Sequence, residues 1–264
     1  MELCRLPGVG SHGPALTRWF RVVTFDPRGA GRSDRPQSGY RLDDHLADAV
    51  AVMQAAGVAR ASVIAGSSGA NVAALLAARL PDLVERLILI APAIRVEPAG
   101  PPEEDNDTDF WIERVSYKGW ERWNAPYWRR DWPGFARWFL EAAFSEPDSQ
   151  TVIDAVHTIA LGADPEILIQ QHREQHRGLD DLAARAILGT ISSPTLVLHG
   201  ELDQSVPLAV ANAVAATIPG AALAVVVGGG HRPDIRSPEL VNPLLVDYLR
   251  GQELTAGAGI EIQH

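Results

Sequence analysis

Val63-Ile64-Ala65-Gly66-Ser67-Ser68-Gly69-Ala70-Asn71 carries an apolar strand into a turn of small residues and then into a helix rich in alanine and leucine. A serine on so sharp a strand-to-helix turn presents its hydroxyl at the strand's end, and the positions two residues to either side must be small for the chain to pack. Ala65 and Gly69 flank Ser67 at those offsets, and Gly66 and Ala70 flank Ser68, so both serines pass the steric test. Counting from the end of the strand favours Ser67. A serine capping a helix would use the same residue types, so this turn points to chemistry only if partners occur elsewhere.

A serine hydroxyl is a weak nucleophile until a base takes its proton, and a carboxylate must orient that base. Downstream, Thr195-Leu196-Val197-Leu198-His199-Gly200-Glu201-Leu202-Asp203 reads as a strand followed by a loop of acids. Val225-Val226-Val227-Gly228-Gly229-Gly230-His231 reads as a strand followed by glycines and a histidine. Both loops lie just beyond carboxyl ends of strands, where open α/β sheets place their sites. Asp203 is therefore the expected acid and His231 the expected base, with Glu201 the second choice of acid and His199 a packed or hydrogen-bonding histidine. His172 and His176 stand one helical turn apart, but Arg173-Glu174-Gln175 between them misplaces the glutamate of a zinc protease. They read as a solvated helix face, and no metal site is expected.

Outward from the turn, short apolar runs alternate with helical stretches, the pattern of a mostly parallel, doubly wound sheet. Arg21–Asp26 reads as a strand stopping at Pro27-Arg28-Gly29, Leu42–Ala56 as a helix, and Ala61–Ala65 as the next strand. Ala70–Leu80 follows as a helix, Arg86–Ala91 as a third strand, and Thr195–His199 and Leu223–Val227 as two more. Residues 94–193 break this rhythm. They open on the Pro-rich acidic linker Val96–Asp105 and then hold six of the seven tryptophans between Trp111 and Trp138. The stretch reads as a helical insertion, a cap on a core formed by residues 1–93 and 194–250. Most of its rings should pack the insertion itself, while Trp111, Trp128 and Trp138 are the candidates to line an apolar substrate pocket at the junction. The Gly- and Ala-rich tail, 251–264, is expected to fray.

Composition narrows the field further. A chain of 264 residues, 46% hydrophobic and 21% charged, is one globular domain carrying an insertion. With 23 basic and 33 acidic residues its net charge is −10, which repels nucleic acid and anionic lipid. The single cysteine, Cys4, allows no internal disulfide. No apolar run nears a membrane span, and Met1–Arg5 lacks a signal-peptide layout. The expectation is a cytoplasmic protein whose partner is a small-molecule substrate, with self-association into a homo-oligomer left open.

With these motifs in place, the sequence from about His12 to Arg250 resembles the α/β-hydrolase superfamily. Phe20–Asp34 is similar to the strand and turn preceding the nucleophile helix in that family, and Leu80–Pro92 to the following helix end and strand. Gly200–Asp203 with Pro207 resembles the acid loop, and Gly229-Gly230-His231 with Pro238, Val241 and Asn242 the histidine loop. Tyr127–Asp131 and Ser145–Ser149 look like the cap of a bacterial subgroup. The resemblance implies a cofactor-free serine hydrolase with a Ser67 acyl-enzyme, His231 as base and then acid, and Asp203 holding the imidazole tautomer. It also implies an oxyanion hole built from the Ser68 N–H and a second donor on a loop after an earlier strand.

The front of the chain departs from that pattern. The superfamily places two antiparallel strands and a third with its oxyanion loop ahead of the part that matches, and about eleven residues precede it here. Either Met1–Leu6 is the third strand with Pro7–Gly10 as a shortened oxyanion loop, or the chain starts late; the second donor is unassigned under both. Three functions follow: hydrolysis of a small apolar ester, thioester or lactone, carbon–carbon bond hydrolysis on the same residues, or a hydrolase-like binding protein without turnover.

Overall fold

A computed structural model describes residues 12–96, 106–175 and 181–263. The N-terminal segment with Cys4 and both readings of it, the linker beyond Val96 and His176 lie outside these residues. Helices α1 (His12–Leu16) and α2 (Leu42–Ala55) come first, then β1 (Ala61–Gly66), α3 (Gly69–Arg79) and β2 (Val84–Ile90). Five helices follow: α4 (Asn106–Trp111), α5 (Ala125–Arg130), α6 (Trp132–Ala143), α7 (Gln150–Ala160) and α8 (Pro165–Gln175). The chain then runs through α9 (Asp181–Leu188), β3 (Thr195–Gly200), α10 (Leu208–Thr217) and β4 (Ala222–Val226). It closes on α11 (Pro233–Arg236), α12 (Pro238–Leu249) and β5 (Ile260–Gln263).

The sheet has the order β1-β2-β3-β4-β5, with β1 to β4 parallel and β5 antiparallel to β4. Side chains alternate across a strand, and this sheet buries both faces. Leu87 and Leu89 of β2, Val197 of β3 and Val225 of β4 pack on one side with α2, α3, α9 and α10. Ile88 and Ile90, Leu196 and Leu198, and Ala224 and Val226 pack on the other with α1 and α12. The apolar runs seen in the sequence are thus strands covered on both faces. Residues 106–175 build a separate aromatic core around Phe110, Tyr127, Trp128, Phe135 and Ile169.

Three details differ from the sequence reading. Arg21–Asp26 is not a strand: it makes no ladder with any described residue, Val23 and Phe25 are exposed, and only Val22 packs toward the core. Its β-branched residues are suited to a strand, but a strand requires a neighbouring backbone to bond to. The tail does not fray throughout, because Ile260–Gln263 pairs with β4 from Leu223 to Val226 and buries Ile260. Helix α9 and Ile191, read as part of the insertion, pack into the sheet's core through Ala184, Leu188 and Ile191.

Candidate active site

Ser67 follows β1 directly and takes φ 50, whereas Ser68 is right-handed helical at φ −60 and ψ −27 and stands at the N-cap of α3. A left-handed conformation costs a residue with a side chain about 1–2 kcal/mol, so surrounding bonds must hold it. They do: the Ser67 N–H donates to the Ile90 carbonyl at 2.8 Å and the Ala93 N–H donates to the Ser67 carbonyl at 3.1 Å. Of the two serines, Ser67 alone is held in the left-handed conformation. Ser67 turns its hydroxyl out of the sheet, while no described residue accepts from the Ser68 N–H. That donor stands at the N-terminus of α3, where the aligned peptide dipoles favour negative charge.

The Ser67 Oγ lies 2.9 Å from His231 Nε2, and His231 Nδ1 lies 2.7 Å from Asp203 Oδ2. A carboxylate only accepts, so Nδ1 carries the proton and donates it, leaving Nε2 of the neutral ring to accept from the serine hydroxyl. Both side chains beneath the serine are buried, His231 at 4% and Asp203 at 0% exposure. Burial pushes the Asp203 carboxyl up, but hydrogen bonds from His199, His231 and the Val206 N–H together outweigh it and hold the group well below the usual carboxylate range. Its Oδ1 accepts the N–H groups of Ser205 at 2.7 Å and Val206 at 2.9 Å. Asp203 is thus a fixed anion under the imidazole. A hydroxyl, an imidazole and a buried carboxylate in this order can move the serine proton to Nε2 as the oxygen attacks a carbonyl.

The acid and histidine loops meet backbone to backbone. A side chain at Gly200 would overlap the carbonyl oxygens of Gly229 and Gly230, so only glycine permits this approach. The Leu202 N–H donates to the Gly229 carbonyl at 2.8 Å, tying the two loops together. Glu201, the second choice of acid, points elsewhere and accepts from the Gly228 N–H at 2.8 Å.

Several neighbours join the site through contacts beyond the three expected residues. The fully buried His199 donates through Nε2 to the Val206 carbonyl at 2.9 Å and lies 3.3 Å from Asp203 Oδ2, which agrees with a hydrogen-bonding histidine but adds a second imidazole to the acid. Arg232 forms a buried bidentate pair with Asp234 at 2.8 and 2.6 Å, immediately after His231. Charged residues so close to an expected base were the only hint of it. Glu146, 84 residues away in sequence, accepts from the Gly230 N–H at 2.7 Å, a contact no local spacing encodes.

The three tryptophans expected at a pocket are engaged with other rings. Trp128 is 3% exposed, meets Phe110 and Trp123 edge to face at 5.1 Å each, and donates its Nε1–H to the Arg122 carbonyl. That leaves it no open face for a ligand. Trp111 packs against Phe110 with Arg173 over its ring, and Trp138 against Trp120 with Arg122 over its ring. His172 stacks on Phe110 at 3.7 Å.

A family model described as alpha/beta hydrolase fold matches residues 10–233. The chain is 28% identical over 243 residues to the putative carbamate hydrolase RutD of Caulobacter segnis, covering 90% of this chain and 84% of that protein. It is 28% identical over 244 residues to the 2-hydroxymuconate semialdehyde hydrolase of Pseudomonas putida, covering 92% and 80%. Its fold superposes on an esterase from Exiguobacterium antarcticum with a TM-score of 0.75 at 23% identity, over 90% of this chain and 84% of that one.

Proposed function

The chain belongs to the alpha/beta hydrolase family, and on that premise we propose that it is a serine hydrolase cleaving a small, largely apolar carboxylic ester, thioester or lactone through an acyl-enzyme. Ser67 Oγ attacks the carbonyl carbon while its proton passes to His231 Nε2. Asp203 holds the proton on Nδ1 and stabilises the imidazolium that results. The oxyanion that forms is met by the Ser68 N–H; one donor of this kind is worth about 2.7–4 kcal/mol of barrier. His231 then gives its proton to the leaving oxygen or sulfur, and the acyl group remains on Ser67. A water deprotonated by His231 attacks the acyl carbon, the acid departs, and Ser67 recovers its proton. In this reading α4–α8 are a cap over the serine, and their aromatic surface suits an apolar acyl chain.

The observation that carries the reading is the left-handed Ser67 with its Oγ 2.9 Å from His231 Nε2. Labelling with a serine-directed fluorophosphonate tests it. Wild type reacts, Ser67→Ala does not, and Ser68→Ala still does because it keeps the backbone N–H. Labelling lost in Ser68→Ala and retained in Ser67→Ala reverses the assignment, and a folded wild type that takes up no label supports the binding protein without turnover. A second reading, carbon–carbon bond hydrolysis, draws support from the similarity to the Pseudomonas putida hydrolase. Comparing p-nitrophenyl esters with a vinylogous diketone separates the two.

A further inference from the structure

The loop that carries His231 is anchored on two sides by different parts of the molecule. On the sheet side, the Gly229 carbonyl accepts from the Leu202 N–H of the acid loop. On the other side, two consecutive amides reach the α6–α7 segment: the His231 N–H donates to the Ala143 carbonyl at 2.9 Å and the Gly230 N–H to Glu146 Oε1 at 2.7 Å. The approach is close enough that a side chain at Gly230 would lie 2.8 Å from both Ala143 O and Glu146 Oε2. The turn receiving them is itself braced. Asp148 takes φ 60, the Ser149 hydroxyl donates to the Glu146 carbonyl at 2.7 Å, and Arg236 donates to Ser149 Oγ at 3.0 Å and the Pro147 carbonyl at 2.8 Å. Ile235 packs with Leu140, Ala143 and Phe144 beneath it.

From this geometry we infer that Glu146, on the helical insertion, is a positioning residue that sets the height of His231 over Ser67 by receiving the Gly230 N–H. The inference rests on the Ser67–His231–Asp203 assignment above. Gly230 precedes His231 by one peptide, so a carboxylate oxygen that fixes the Gly230 amide fixes where the imidazole swings out of the loop. Peptide amides are obligatory donors, and removing this acceptor leaves the N–H buried against Ala143 with nothing to bond. The loop then shifts to find a partner. A shift of 1 Å at a reacting group is sufficient to slow a reaction by about two orders of magnitude. The helical insertion, in this arrangement, contributes to the reaction by bracing the base as well as by covering the site.

The test is the kinetics of fluorophosphonate labelling, resolved into the rate at saturating reagent and the reagent concentration giving half that rate, for wild type, Ser67→Ala, Glu146→Ala and Glu146→Gln. Glu146→Ala lowers the saturating rate by about tenfold or more and leaves the half-saturating concentration unchanged. Glu146→Gln, whose amide oxygen still accepts from Gly230, stays within about threefold of wild type. If Glu146→Ala fails to fold by circular dichroism, Glu146→Asp replaces it under the same criteria, since it keeps the charge and falls one methylene short. A Glu146→Ala protein labelling at the wild-type rate while Ser67→Ala is inert overturns the inference and leaves the Ser67 assignment standing. So does a Gln variant as slow as the Ala variant. A wild type that does not label at Ser67 overturns both.

Discussion

The ends of the parallel strands and the aromatic insertion hold their residues by different means. At the strand ends the geometry belongs to the backbone: Ser67 is fixed by carbonyl and amide bonds to Ile90 and Ala93, and Gly200 admits the Gly229–Gly230 backbone where no side chain fits. In the insertion it belongs to side chains, with Phe110, Trp123, Trp128, Trp132 and Phe135 locked edge to face or tilted at ring separations of 4.8 to 5.9 Å. Backbone-held residues keep their positions when one side chain is trimmed, whereas a cluster of rings loses volume with each ring removed. Substitutions at the strand ends should therefore cost rate, and substitutions among the rings should cost stability.

The largest effect tests the first half of that contrast. Ser67→Ala is expected to lower ester hydrolysis by about 10⁴-fold or more, equivalent to about 5.5 kcal/mol, with a thermal midpoint close to wild type. A midpoint falling by many degrees would place Ser67 among the residues that hold the fold. Trp128→Ala tests the second half: it should destabilise by about 3–5 kcal/mol in denaturant unfolding, the usual penalty for emptying a buried ring site. Unchanged stability with a raised KM would make Trp128 a ligand contact instead.

The smallest effect probes the charge beneath the serine, and the signal Asp203 gives is one of stability. Its folded value is depressed, so its contribution is present above the unfolded-chain value of about 3.9 and is lost as the pH falls below it toward the folded value. Acid unfolding of wild type should accordingly be steeper below about pH 4 than that of Asp203→Asn, and equal slopes would deny Asp203 its favourable partners.

What could be read from the sequence follows the same division. Strands β1 to β4 and the loops behind them were legible because local rules produce them: apolar runs of strand length, small residues at a tight turn, and acid and histidine beyond strand ends. Preferring Asp203 to Glu201 was legible only as an order, since both acids share the loop and the contact that distinguishes them, with His231, lies 28 residues along the chain. The failures are residues whose partner lies far along the chain. Arg21–Asp26 has the composition of a strand but pairs with no backbone among the described residues, and Ile260–Gln263 has a composition suited to a loose tail but finds the edge of β4. Glu146 lies in the run Ser145–Ser149, whose spelling holds nothing that points to Gly230.

The short strand β5 also changes what one margin of the sheet offers to another chain. Strands β2 to β4 are nearly continuous apolar runs, and an open edge on any of them would template the sheet of a neighbouring chain into an aggregate. Ile260–Gln263 occupies the outer side of β4, and its own outward edge is four residues long with Glu261 and Gln263 exposed. A brief edge bearing a charge offers an incoming strand few bonds at the expense of desolvating a carboxylate. The outer edge of β4 is thereby closed by four residues at one margin of the sheet.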